Sequence, residues 1–365
     1  MTTRPRISDV AAAAGVSVTT VSLVLNNAKT RISADTQQRV RDAARAVGYA
    51  PSALARGLRT QRTRTVGLIS DQIATTPFAG RMLAGAQDVA RDHGHLVFLL
   101  DTGGDAGIEA EAIAALSAQQ VDAMIYACMW HRTVEPPAGI RADTVFLDCR
   151  PAGGSHRSVV PDDRAGGAAA VRELVAAGHR RIAYIDASEP KPIASALRFE
   201  GYLEVLAEAG IDPDAVLRVD VTEISARGGR EAADMLLALP ADRRPTALFC
   251  FNDRIAAGAY MAARHRGLEI PRDLSIVGYD DQQFIAAEQD PPLTTVALPH
   301  YEMGRWAMEV ALGVRAEEDE DATHLMECPV IRRDSVGPPP AQVAKPSRRR
   351  ASHNTERPPS AAPDR

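Results

Sequence analysis

Helical spacing dominates the first fifty positions. Ile7, Val10, Ala11 and Ala14 recur at i, i+3, i+4 and i+7, which predicts a short helix with one apolar face. Gly15-Val16-Ser17 interrupts the pattern, and a second short helix follows with Val21, Val24 and Leu25 inward. Val18, Thr19, Ser22 and Leu23 then fall on its outer face. A third helix is predicted over about Ala34–Val47, with Ser33 as N-cap, Gly48 after its end and Val40, Ala43, Ala44 and Val47 as its inner stripe. Two short helices joined by a Gly-containing turn form a helix-turn-helix, and the second helix of such a unit can enter a DNA major groove.

The pattern then changes twice. Pro51-Ser52-Ala53-Leu54-Ala55-Arg56-Gly57-Leu58 predicts a helix too short, and with Gly57 inside it, to hold alone in water. It is expected to order on a partner surface, as a hinge. From Val66 to about Arg333, strand-like and helix-like segments alternate. Strands are predicted at Val66–Ser70, Leu96–Leu100, Ala123–Tyr126, Thr144–Leu147, Ile182–Ile185, Val216–Val219, Ala247–Phe251 and Ile276–Tyr279. Helices are predicted at about Phe78–Asp92, Ile108–Ala118, Arg164–Ala177, Ala194–Ala209, Ala226–Leu239, Arg254–Arg266 and Tyr301–Leu312. Alternation of this kind implies parallel sheets with right-handed crossovers, an α/β class. The segment is long for one such core, so two Rossmann-like lobes are expected, with a ligand in the cleft beyond the carboxyl ends of the strands. The predicted division is a head at 1–50, a hinge and linker at 51–65, a two-lobed core at 66–337 and a disordered Pro- and Arg-rich tail at 338–365.

Charge sharpens this picture. Residues 1–64 carry eleven Lys or Arg against three Asp, which puts the head at +8 and the remainder at −13 within a net −5. A basic head on an acidic body suits phosphate contact. Cys128, Cys149, Cys250 and Cys328 follow no metal-ligand spacing and are expected to be reduced and mostly buried. No apolar run is long enough to span a membrane and no secretory leader is seen, so a cytoplasmic, nucleoid-associated protein is expected. His93, His179 and His265 lie near helix ends, where a helix-dipole role is expected and metal ligation is not. The acid pairs Asp162-Asp163 and Asp280-Asp281 raise acid–base catalysis, but no nucleophile with a nearby base and no P-loop accompanies them. No enzyme activity, cofactor or metal is expected.

Several linked motifs carry a resemblance. DVAAAAGVSVTTVSLVLN, ISADTQQRVRDAARAVGYAPSALARGLRT, VVPDDRAGG, GHRRIAYI, NDRIAAGA, LSIVGYDD and PPLTTV occur in that order between Arg6 and about Arg333. Together they resemble the LacI/GalR family of bacterial transcription regulators. The resemblance implies a homodimer with a helix-turn-helix head, a hinge helix and a core of the type I periplasmic-binding-protein fold. It places Val18, Thr19 and Leu23 where relatives read bases. Thr19 can hydrogen-bond a base edge or a phosphate, whereas Val18 and Leu23 offer only apolar contacts such as a thymine methyl. Ser17, Thr20, Ser22 and Asn26 suit phosphate contacts, with Ser17 also a candidate N-cap. Arg6 stands where the family has a capping Thr, so Ser8 is the alternative cap. Leu58 matches the leucine that relatives wedge into the minor groove, with Ala55 and Arg56 along the groove.

For the core, the resemblance and the strand ends single out Asp148, Arg198, Asn252 and Asp280. Arg198 matches the arginine that grips effector oxygens. Asp71, Phe78, Ile224 and His300 match other cleft positions. Asn252 and Asp280 are alternatively helix caps, with Asp253 and Asp281 as substitutes. Carboxylates, an amide and a guanidinium suit a polyhydroxylated ligand, although Ile224 replaces an aromatic on which some relatives stack a sugar. The function expected is a repressor that binds double-stranded palindromic operator DNA as a dimer under control of a small, sugar-like effector. The alternatives are an activator or dual regulator of the same family, and a pure small-molecule receptor.

Overall fold

The computed structural model describes residues 5–26, 31–49, 62–73, 76, 80–188, 192–212, 217–315 and 322–340. The Pro51–Leu58 hinge, Phe78 and most of the expected tail lie outside the described residues.

The head forms as its periodicity predicts. Helices α1 (Ile7–Ala14), α2 (Val18–Leu25) and α3 (Ala34–Ala46) surround a small core of Val10, Ala11, Val21, Val24, Val40, Ala43 and Ala44. Gly15 ends α1 in the left-handed region at φ 67°, which a residue without Cβ adopts freely. The chain turns through 103° between α1 and α2. Ser33 caps α3 as expected, accepting the Thr36 N–H at 3.3 Å. The expected cap of α1 needs correction. Ser8 is not the cap; Arg6 is the N-cap residue, and the Asp9 carboxylate accepts its N–H at 2.7 Å. An acid in the first turn does this work because it reaches an otherwise orphan donor.

The body is two α/β lobes. The first contains β1 (Thr65–Ser70), α4 (Gly80–Asp92), β2 (Leu96–Asp101), α5 (Ala106–Ala118), β3 (Ala123–Val134), β4 (Val145–Pro151) and β5 (Ser158–Pro161). The second contains α6 (Asp163–Ala176), β6 (Ile182–Ala187), α7 (Ile193–Glu208), β7 (Arg218–Val221), α8 (Ala226–Leu237), β8 (Ala247–Cys250), α9 (Asp253–His265), β9 (Ser275–Asp280) and β10 (Thr294–Ala297). The chain then returns to the first lobe for α10 (His300–Ala311) and β11 (Thr323–Met326), and ends in the second with β12 (Val330–Ile331). The first sheet has the order β2-β1-β3-β4-β5-β11 and its pairings are all parallel. The second has the order β7-β6-β8-β9-β10-β12, parallel except for antiparallel β12.

The chain therefore crosses between lobes three times, after β5, after β10 and after β11. All three crossings leave strand ends at the same edge of the body. In each lobe the helices cover the sheet with their apolar faces, and α6 packs on α7 at unusually close range. A Cβ on Gly167 would lie 2.5 Å from the Arg198 carbonyl oxygen, and one on Gly201 would lie 2.2 Å from that of Arg164. The same reciprocal glycine contact joins α4 to α10 through Gly85 and Gly304, and α8 to α9 through Gly229 and Gly258.

Some predicted elements differ. The strand expected at Val216–Val219 is β7 at Arg218–Val221, and the helix expected from Phe78 is described from Gly80. Strands β5, β10, β11 and β12 are two to four residues long and carried no periodicity to find. β3 runs eight residues beyond the expected Tyr126, because it carries a large bulge. Ala127 pairs with Leu147, but the next pairing is Arg132 with Cys149, so Cys128–His131 face Asp148 alone. His179 is also corrected: it is a buried brace, not a helix-dipole partner. Its Nδ1 lies 2.9 Å from Thr246 Oγ1, and its Nε2 lies 2.9 Å from both Ser275 Oγ and the Gly337 carbonyl oxygen. Burial pushes its pKa below the usual histidine value. All four cysteines are free and buried.

Candidate DNA face and interlobe cleft

The exposed side of α2 carries the residues singled out for base contact. Val18 is 45% exposed and Leu23 39% exposed, although both are large and apolar, and Thr19 lies between them on the surface. Ser17 is the N-cap of α2, accepting the Thr20 N–H at 3.1 Å, and its hydroxyl lies 2.9 Å from that of Thr20. Asn26 Nδ2 donates to the Ser22 carbonyl oxygen at 2.7 Å. These side chains are thus oriented locally at the two ends of the helix. Ala55, Arg56 and Leu58 lie outside the described residues.

The cleft is built where the interlobe crossings and the β3 bulge converge. A cavity is lined by Met129, Trp130 and His131 from the bulge, by Asp148 opposite it, and by Pro161, Asp163, Leu298 and His300 at the crossings. Ala194, Arg198, Phe251 and Asp280 close it from the second lobe. Arg198 is held from three sides. Its Nε donates to Asp163 Oδ1 at 2.9 Å, its Nη1 donates to the Phe251 carbonyl oxygen at 2.6 Å, and Asp280 Oδ1 stands 3.6 Å from Nη1. The guanidinium also lies over the Tyr279 ring, 3.5 Å from its centroid. The other oxygen of Asp163 receives His131 Nδ1 at 2.8 Å, a bond that crosses from one lobe to the other.

Burial raises the pKa of every acid here unless a cation answers it. Burial pushes Asp163 upward, but the Arg198 charge and the bonds from His131 and Arg198 hold it below the usual carboxylate range. Its place as the first residue of α6 adds the favourable end of the helix dipole. Burial pushes Asp280 up to about 6 against the pull of Arg198. Burial, with Asp163 adding repulsion, pushes Asp148 well above the usual carboxylate value. Burial and the charges of Arg81 and Arg198 push His300 down to about 4, so its ring is neutral.

The structure brings Asp148, Arg198, Asp280 and His300 together, as expected. The other expected cleft residues do different work. Asp71 Oδ1 accepts the Met129 N–H at 2.9 Å and its Oδ2 pairs with Arg132 at 3.1 Å, so it holds the bulge in place from behind. Asn252 caps α9, accepting the Ile255 N–H at 3.0 Å. Ile224 packs against the core of the second lobe. Phe78 lies outside the described residues. Eight of the twelve lining residues were not singled out as cleft residues, among them Trp130, His131 and Asp163. Trp130 and His131 sit in a bulge without a period. Asp163 was noticed as half of an acid pair, and its position one residue inside a helix start was the available signal.

Comparison with known proteins places this architecture. Residues 6–52 match the bacterial regulatory proteins of the lacI family, and residues 171–336 match the periplasmic binding protein-like domain. The HTH-type transcriptional repressor PurR of Aliivibrio fischeri strain MJ11 is 32% identical over 343 residues, covering 90% of this chain and 98% of that protein. The Lac repressor dimer, solved bound to operator and the anti-inducer ONPF, superposes with a TM-score of 0.73 at 25% identity, over 92% of this chain and all of that one. The transcriptional regulator CelR, solved in complex with cellobiose, gives 0.61 at 28% identity over 91% of this chain and all of its own. The chain belongs to the LacI family of bacterial regulatory proteins.

Proposed function

We propose that this protein is a cytoplasmic transcriptional repressor that binds palindromic operator DNA as a homodimer and is controlled by a small, sugar-like effector in the interlobe cleft. The observation that carries the reading is the pairing, in one chain, of a helix-turn-helix with exposed apolar side chains on α2 and a cavity between two lobes into which Asp148, Asp163, Arg198 and Asp280 converge. Ser17, Thr20, Ser22 and Asn26 fix register on phosphates, while Val18, Thr19 and Leu23 meet base edges. Ala55, Arg56 and Leu58 form the minor-groove hinge, with Leu58 as a wedge that kinks the duplex. The division is a head at 1–50, a hinge and linker at 51–65, a core at 66–337 and a tail beyond.

Asp148, Arg198 and Asp280 contact the effector, and Asp71, Asn252 and Ile224 support the cleft that holds it. Ligand binding changes how the lobes sit and hence the spacing of the two hinges in the dimer. Coupling between such sites is reciprocal and typically about 1–3 kcal/mol. Nothing in this scheme calls for catalysis. An activator of the same family would share all of it and differ only in where its operator lies.

Footprinting on genomic DNA tests the reading, followed by titration of the footprint with size-filtered metabolite fractions. Protected sites with inverted half-sites, and at least one fraction that changes their occupancy, are expected. Absence of any footprint contradicts DNA reading; a footprint indifferent to every fraction contradicts ligand control.

A further inference from the structure

The charges that line the cleft say what kind of effector it admits, granted the reading above that the cleft is an effector site. The lining contains three carboxylic side chains, Asp148, Asp163 and Asp280, and a single guanidinium, Arg198. Two of those acids already answer Arg198, at 2.9 Å for Asp163 and 3.6 Å for Asp280. Arg254 acts on Asp280 from outside the lining, and Arg132 is paired with Asp71. Burial pushes Asp148 well above the usual carboxylate value, and it holds His300 down at about 4, so that ring is neutral. An entering anion would lose its hydration and find no lining cation without a carboxylate already beside it.

Two buried polar atoms of lining residues make no hydrogen bond among the described residues: His131 Nε2 and Asp148 Oδ1. His131 is 4% exposed and Asp148 is 4% exposed, so neither is satisfied by bulk water. Asp163 is acceptor-only, and it therefore holds the ring hydrogen of His131 on Nδ1. This leaves Nε2 as the ring atom open to a ligand. A buried unpaired polar atom discriminates strongly, because a ligand that fails to meet it leaves the desolvation penalty in place.

We propose that the cleft is selective for an uncharged ligand, that His131, positioned by Asp163, makes a hydrogen bond through Nε2 to a polar group of the ligand while Asp148 bonds a neighbouring polar atom, and that phosphorylated or carboxylated analogues are excluded. Asp163 is then a positioning and specificity residue, as it fixes the His131 ring and cancels the charge of Arg198.

The chain carries its own reporter. Trp130 and Trp306 are its only tryptophans, and Trp130 lines the cavity. In full-length protein with Trp306→Phe, Trp130 emission is titrated with inorganic phosphate against sodium chloride of matched ionic strength. No response is expected with Asp163 intact. Asp163→Asn removes the anion that answers Arg198 and should create a saturable phosphate response. Asp280→Asn, which removes the second carboxylate, is the substitute if Asp163→Asn does not fold.

A saturable response with Asp163 and Asp280 both present overturns the proposal. So does a folded Asp163→Asn or Asp280→Asn chain that stays blind to phosphate, since the released arginine is then not the cation the argument requires. Ribose and glucose are run beside ribose 5-phosphate and glucose 6-phosphate. A phosphate ester that binds where its parent sugar does not also overturns charge selectivity, yet leaves the effector site standing. Footprinting of the same samples reports DNA binding separately.

Discussion

At the scale of single residues, burial decides what a substitution does. If Arg198 only gripped a ligand, its removal would cost the fold nothing. Its 2.9 Å bond to Asp163, in a site where that acid is fully buried, argues otherwise. Arg198→Ala leaves an uncompensated buried carboxylate, a change that costs about 3–5 kcal/mol in comparable sites. Chemical denaturation should show that loss, and joint replacement of Arg198 by Met and Asp163 by Leu should recover much of it. Wild-type stability in Arg198→Ala would contradict the buried pair.

His300 supplies a second test. Its folded pKa is depressed to about 4 from 6.5, so the unfolded chain binds more protons between those values and stability falls as pH drops through that window. Asp280, raised to about 6 from 3.8, acts in the opposite sense: the folded chain binds more protons there and gains stability as pH drops. The two oppose each other between pH 4 and 6. His300→Gln removes only the first, so relative to wild type it should gain about 2 kcal/mol between pH 7 and pH 5. A pH-independent difference would contradict a buried neutral ring.

At the scale of elements, the close pairing of α6 with α7 fixes the distance between Asp163 and Arg198. Gly201→Ala pushes a methyl against the Arg164 carbonyl, 2.2 Å away in the present backbone, and the helices must separate. Overpacking of this kind costs about 1–3 kcal/mol. The thermal midpoint should fall, and Trp130 emission should shift as the cleft loosens; a silent Gly201→Ala would show that the helix pair has slack. Such contacts explain which elements were legible. The helices α1, α3 and α4 declared themselves because one face of each is apolar at 3.6-residue spacing. The main parallel strands did so as short apolar runs between turn signals. The short strands β5, β10, β11 and β12 did not, having too few residues to show a period. The Cys128–His131 bulge was invisible because its shape follows from what Asp71, Arg132 and Asp148 do across the sheet. The cleft residues on regular strand or helix ends, Arg198 and Asp280, were therefore found, and those placed by tertiary contact, Trp130 and His131, were not.

At the scale of the whole molecule, charge separation and symmetry govern behaviour. The basic head at +8 implies that DNA affinity should fall steeply with salt, since each neutralised phosphate releases condensed counterion. A flat response of the logarithm of affinity to the logarithm of salt would contradict the phosphate contacts. Leu58→Ala should weaken binding to a specific site far more than binding to random duplex, because only the specific complex seats the wedge. Equal losses would reject the wedge. The central claim is that two copies of α2 read DNA across a two-fold axis, and selection of bound sequences from random duplex DNA by the full-length protein tests it most directly. The account predicts one enriched motif made of two inverted half-sites at fixed spacing. Enrichment of a single asymmetric motif, or of none, would contradict it.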